Sequence, residues 1–163
     1  MAELNNDVTV DVIELLPEEE IRICLFSIGE DTYAIPVELL TEIIIPQKIF
    51  PVPTTPSHVL GVINLRGNIV PIVDIRPALS LPQTAAAGQI AIVKQGAMTV
   101  GIVVDNVSEV VGVPKTSVQA VPTDYSAQTS TNRNRFIAGI IHRETSVAAL
   151  LNIERIFDEI KLT

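Results

Sequence analysis

The sequence predicts an all-β protein carrying only short helices, and three observations support that class. Isoleucine and valine are abundant throughout, whereas tryptophan is absent and phenylalanine and tyrosine total six (Phe 4, Tyr 2); such β-branched enrichment suits the pleated surface of a sheet. Eleven prolines and eight glycines break the chain into short apolar runs, the punctuation of a small barrel or sandwich. The same succession of apolar hairpins also occurs twice, which predicts two similar five-stranded barrels.

Residues 1–20 read as an acidic, flexible leader in which Val8 to Val10 and Val12-Ile13 are the only stretches able to dock. Residues 21–28 alternate as a strand, Gly29-Glu30-Asp31 is a turn, and residues 32–37 return, so the first element is a hairpin. Residues 37–42 make one helical turn or a bent connection before Ile43 to Ile45. Prolines 51, 53 and 56 then bar regular structure up to Leu60. A second hairpin spans residues 61–75 around the tight turn Arg66-Gly67-Asn68, and Asp74 is placed to cap a short helix from Ile75. Residues 80–89 read as a linker between a first barrel (about 21–79) and a second (about 90–160).

The pattern then restarts. Residues from Ile90 line up with those from Ile23 at an offset of 67, placing Glu42 on Glu109; residues from Gly139 line up with those from Gly61 at an offset of 78, placing Asp74 on Asn152 and Ile69 on Val147. Residues 122–135, rich in Ser, Thr, Asn and Gln, absorb the difference as a polar loop. An order of A-B-A′-B′ permits either consecutive pairing of the hairpins or their exchange between barrels.

Composition also bounds function. At 163 residues and 47% apolar the chain has material for a packed core. Its net charge of −8 sits mostly in the leader: seven of the 19 acids precede Arg22, leaving 12 acids against 11 bases in the body. No basic stripe is present, which argues against nucleic-acid binding. No apolar run reaches the roughly 18 residues of a membrane span, so membrane contact is expected only through a partner. The single cysteine, Cys24, excludes an internal disulfide, and with an acidic start it points to a reducing cytoplasm. Two histidines (His58, His142) and no CxxC or HxxxH spacing leave no metal, cofactor or enzyme signature. An enzyme reading would need Cys24 beside His58 or His142, although a thiol between Ile23 and Leu25 is expected to be buried and inert.

Four segments carry a resemblance: residues 26–44, residues 61–76 with NLRG before an apolar strand and VDIR, residues 100–114 with GIVVD, and residues 150–157. Together they resemble the CheW-like domain of bacterial chemotaxis coupling proteins, over about residues 21–160. The resemblance implies one domain of two SH3-like five-stranded barrels and a free-standing, non-enzymatic adaptor. Its implied partners are the regulatory domain of a CheA-type histidine kinase and the cytoplasmic tips of methyl-accepting chemoreceptors, with the adaptor monomeric when free and recruited to membrane-associated arrays. Variant roles consistent with the resemblance are coupling in twitching motility or phototaxis, and an antagonist that binds kinase or receptor alone.

By the same carry-over, Arg66, Leu40 and Glu42 occupy the receptor-facing surface, with Glu42 able to pair with Arg66. Arg66 would project from a rigid hairpin tip, where a planar five-donor fork can hold carboxylate or backbone groups. Tyr125, the lone aromatic of the 122–135 loop, is the one kinase contact the resemblance suggests. Asp74 and Asp105 end apolar strands and read as backbone caps.

Overall fold

The computed structural model describes residues 19–82, 88–121 and 136–160. Eleven strands form two sheets among these residues. β1 (Glu20–Ile28) and β2 (Asp31–Pro36) make the first hairpin, and a 3-10 turn over Val37–Leu39 leads into β3 (Leu40–Ile44). The second hairpin is β4 (Val59–Leu65) and β5 (Asn68–Val73), followed by a 3-10 turn over Pro77–Leu79. The chain continues through β6 (Gln89–Gln95), β7 (Met98–Val104), β8 (Asn106–Pro114) and a 3-10 turn over Lys115–Ser117. It ends with β9 (Val118–Ala120), β10 (Ile137–His142), β11 (Val147–Leu151) and the helix α1 (Ile153–Ile160). The short helix expected from Ile75 begins two residues later, where Pro77 supplies the fixed φ that suits a first helical position.

The hairpins are exchanged. Sheet A runs β8-β1-β2-β11-β10-β9 and sheet B runs β3-β6-β7-β5-β4. Each sheet therefore combines the first hairpin of one repeat with the later strands of the other, so a division into residues 21–79 and 90–160 cuts through both. Sheet A has six strands where five were expected, because β9 adds three residue pairs to β10. At the matching place in sheet B a single bridge joins Phe50 to Val62; Pro51 and Pro53 follow it, and proline cannot donate to a ladder. Among the described residues neither ladder closes into a full barrel.

The internal repeat holds residue by residue in the pairing. Val59 faces Val73 in sheet B and Ile137 faces Leu151 in sheet A, each 78 residues on. Leu40 faces Val93 in sheet B, while Val107, 67 residues on from Leu40, faces Phe26, 67 residues before Val93. The register shift after Leu40 recurs between Leu25 and Phe26. The Asp74 amide donates to the His58 carbonyl, and the Asn152 amide to the Phe136 carbonyl, both at 2.8 Å.

Three apolar cores follow. One lies inside sheet A around Ile23, Leu25 and Ile141, and another inside sheet B around Ile63, Ile72 and Ile92. The largest joins the sheets, packing Phe26 and Ile35 of sheet A against Val73 and Val100 of sheet B beneath Phe136 and the Ile156 and Phe157 face of α1. Alternation puts these side chains inward along each strand, and their burial is the main favourable contribution to folding.

Candidate functional site

The β4–β5 turn is built for tightness, with one costly residue. Arg66 and Gly67 both take positive φ (51° and 87°), and the Asn64 side chain accepts the Gly67 amide at 2.8 Å. Two left-handed residues in a two-residue loop match strand twist, and the residues preferred at the first position are asparagine and glycine. Arginine there carries about 1–2 kcal/mol of backbone strain. Thr54 and Ser80 hold similar φ values of 63° and 61°, so the conformation at Arg66 sets where its side chain projects and does not by itself assign it a role.

That side chain is 67% exposed and reaches across the open seam of sheet B to Glu42 on the opposite edge strand, β3, where the two form a hydrogen-bonded ion pair. Beside the pair lies an open groove of about 470 Å³, walled by Thr41, Leu65, Ile69, Lys94 and Thr99. Ile69 is 65% exposed although large and apolar. The groove thus offers one apolar knob, a guanidinium with donors to spare and Lys94 at its rim. It is suited to a protein surface carrying carboxylate or backbone acceptors.

Of the expected receptor-facing residues, Arg66 and Glu42 come together. Leu40 sits on the same strand but turns half-buried onto the central core, and it is not part of the groove wall. Tyr125 lies outside the described residues. Ile69 was not singled out from the sequence as a contact, although inward Val70 and Ile72 imply by alternation that Ile69 faces out.

Sheet A carries a counterpart. Glu109, the repeat equivalent of Glu42, accepts from Arg143 at 3.2 Å across that sheet's seam. Arg143 occupies the position matching Leu65, one residue earlier than the match of Arg66.

The remaining chemistry-bearing residues serve structure. Burial pushes the Cys24 thiol above its ordinary value and leaves it 2% exposed, so it is a poor nucleophile. His58 is buried with its ring edge-on to Phe136, centroids 6.1 Å apart, and His142 meets the Gln119 Oε1 at 3.1 Å. Asp74 accepts the Arg76 amide at 3.0 Å and Asp105 accepts the Gly29 amide at 2.6 Å. Both aspartates do more than cap, because each also pairs with the guanidinium of buried Arg76. Among the described residues no His, Cys, Asp or Glu cluster could hold a metal, and no helix is long and apolar enough to cross a membrane.

Two sheets with exchanged hairpins and an exposed groove beside an Arg–Glu pair make up the fold and the candidate site. Residues 22–161 match the model of the CheW-like domain, and the chain belongs to that family. Its relatives include the chemotaxis protein CheW of Helicobacter pylori, 30% identical over 85% of this chain and 82% of that one. The CheW of Treponema pallidum is 27% identical over 89% and 86%. The crystal structure of the scaffolding protein TtCheW from Thermoanaerobacter tengcongensis superposes with a TM-score of 0.72 at 25% identity, covering 82% of this chain and 90% of that one. Membership makes the chain a non-enzymatic coupling adaptor of chemotaxis.

Proposed function

We propose that this adaptor holds a CheA-type histidine kinase against the cytoplasmic tips of methyl-accepting chemoreceptors, with the groove beside Arg66 and Glu42 as the receptor-facing site. The observation that carries the reading is the exposed Arg66, paired with Glu42 and poised over a groove with exposed Ile69 on its wall. An exposed pair of this kind contributes little to folding, yet across an interface it fixes register. Contacts of this size are individually weak, which suits an array held together by many repeated ones. The protein acts in the cytoplasm as a monomer and reaches the membrane through the receptor. The kinase docks on a different surface, to which Tyr125 contributes.

Co-sedimentation tests the bridge. Receptor-containing membranes, a CheA-type kinase from the same genome and this protein are mixed in all combinations, and the pellets are analysed. The kinase should pellet with receptor membranes only when this protein is present. A protein that binds one partner and displaces the other would be an antagonist, and the bridging reading would fall.

A further inference from the structure

Arg76 is 2% exposed and lies where the two sheets meet. Its Nη1 is 3.2 Å from the Asp74 carboxylate at the end of β5, in sheet B. Its Nη2 pairs with Asp105 at the point where the chain crosses from β7 of sheet B to β8 of sheet A. The second oxygen of Asp105 accepts the Gly29 amide in the β1–β2 turn of sheet A, at 2.6 Å. One guanidinium and two carboxylates thus tie the end of one sheet to a turn of the other.

The internal repeat acts as a control on what the fold itself requires. At the equivalent joint the matches of Asp74, Arg76 and Asp105 are Asn152, Glu154 and Glu38. Asn152 only caps α1, accepting the Arg155 amide at 3.0 Å, and Glu154 and Glu38 are exposed. That joint is closed by the apolar face of α1, so the topology can be made without a charge cluster. Buried ion pairs are poor sources of net stability, because desolvation offsets their attraction, and neutral replacements of similar volume often fold as well. What a directional cluster adds is geometry: apolar packing between sheets is non-directional and tolerates sliding and repacking.

We propose that the cluster of Asp74, Arg76 and Asp105 is an orienting lock, which sets the inclination of sheet A on sheet B and thereby the relative placement of docking faces on the two sheets. Arg76 and Asp105 are positioning residues in this scheme. The part concerning docking faces rests on the adaptor reading above, whereas the orientation itself does not.

The test uses the full chain, with Asp105→Asn and the neutral triple variant Asp74→Asn, Arg76→Leu, Asp105→Asn. With its amide oxygen on the Gly29 amide, the side chain that Asp105→Asn introduces turns its NH2 toward the Arg76 guanidinium, so the change keeps the contact within sheet A and removes both the charge and the acceptor that held Arg76 across the joint. Residual dipolar couplings of backbone amides are measured separately for sheet A and sheet B. In the unsubstituted protein one alignment tensor should fit both sheets. In the variants each sheet should still fit alone, while the joint fit fails. Affinity for receptor membranes and for kinase should each stay within about twofold of the unsubstituted protein, while the three-component complex weakens about fivefold or more. A single tensor that still fits both sheets of the folded variants would overturn the lock, as would a triple variant that does not fold, since the cluster would then be ordinary core. Separate tensors in variants of a protein that never bridges its partners would leave the lock standing and remove the adaptor reading.

Discussion

Replacing Arg66 with glycine separates the demands of folding from those of binding. In the native turn Arg66 holds φ at 51°, a conformation that costs an L-residue about 1–2 kcal/mol and glycine almost nothing. Against that gain stand two losses. The pair with Glu42 goes, and with the arginine side chain 67% and the glutamate 28% exposed it contributes about 0.2–1 kcal/mol. The added freedom of glycine in the unfolded chain costs roughly 0.4–1 kcal/mol more. The opposing contributions nearly cancel, so Arg66→Gly should change stability by no more than about 1 kcal/mol, or about 2–4 °C in Tm for a chain of this size. Losing a charged hydrogen-bonding group from a receptor interface should cost about 2–5 kcal/mol of binding, at least about a thirtyfold weaker Kd. Thermal unfolding and receptor-membrane binding measured on one preparation give both numbers. Unchanged receptor binding would refute the assignment of the groove. A stability loss well above 1 kcal/mol would refute the claim that Arg66 is dispensable to the turn.

Other consequences follow from the packing. Gly61 has φ of 147°, and a Cβ there would overlap the Phe50 carbonyl oxygen and lie 2.8 Å from its carbon. Gly61→Ala should therefore break the Phe50–Val62 bridge and cost about 2–3 kcal/mol, seen as a lower midpoint in urea. Cys24 should resist thiol reagents in the folded protein and react only as fast as the chain opens, and Cys24→Ala should leave partner binding intact. Because burial raises the folded thiol above its ordinary 9.0, the unfolded chain releases that proton first. The contribution of the neutral thiol to stability is thus fully present below pH 9 and is lost as the pH rises further, which denaturation at pH 8 and 10 compared with the Cys24→Ala variant would detect.

Local signals made most of the elements readable. The tight turn read at Arg66-Gly67-Asn68 is a two-residue loop, Arg66-Gly67, with Asn68 already paired to Leu65 in β5, and both hairpins follow from alternation between turn residues. The repeat at offsets of 67 and 78 proved accurate enough to predict strand register, because homologous hairpins keep their pairing. Which hairpin pairs with which is a long-range choice, and alternation of apolar residues contains no information about it; the exchange appeared only in the fold. The expectation that Asp74 and Asp105 are caps was true of one oxygen of each and missed Arg76. Arginine two residues after a strand-ending aspartate looks solvated unless the other repeat is known to supply Asp105. Carry-over from the family places Leu40 and Glu42 on one surface; the structure puts Glu42 at the groove beside Arg66, and the register shift between the two leaves Leu40 half-buried against the central core.

The most direct test of the coupling account is the rate of kinase autophosphorylation in the presence of receptor membranes, followed as this protein is titrated in, alongside its Arg66→Glu variant. The account predicts that receptor-dependent activity appears only with the unsubstituted protein, while the variant still binds kinase and gives none. Receptor control of the kinase without this protein, or equal activity from the Arg66→Glu variant, would contradict it.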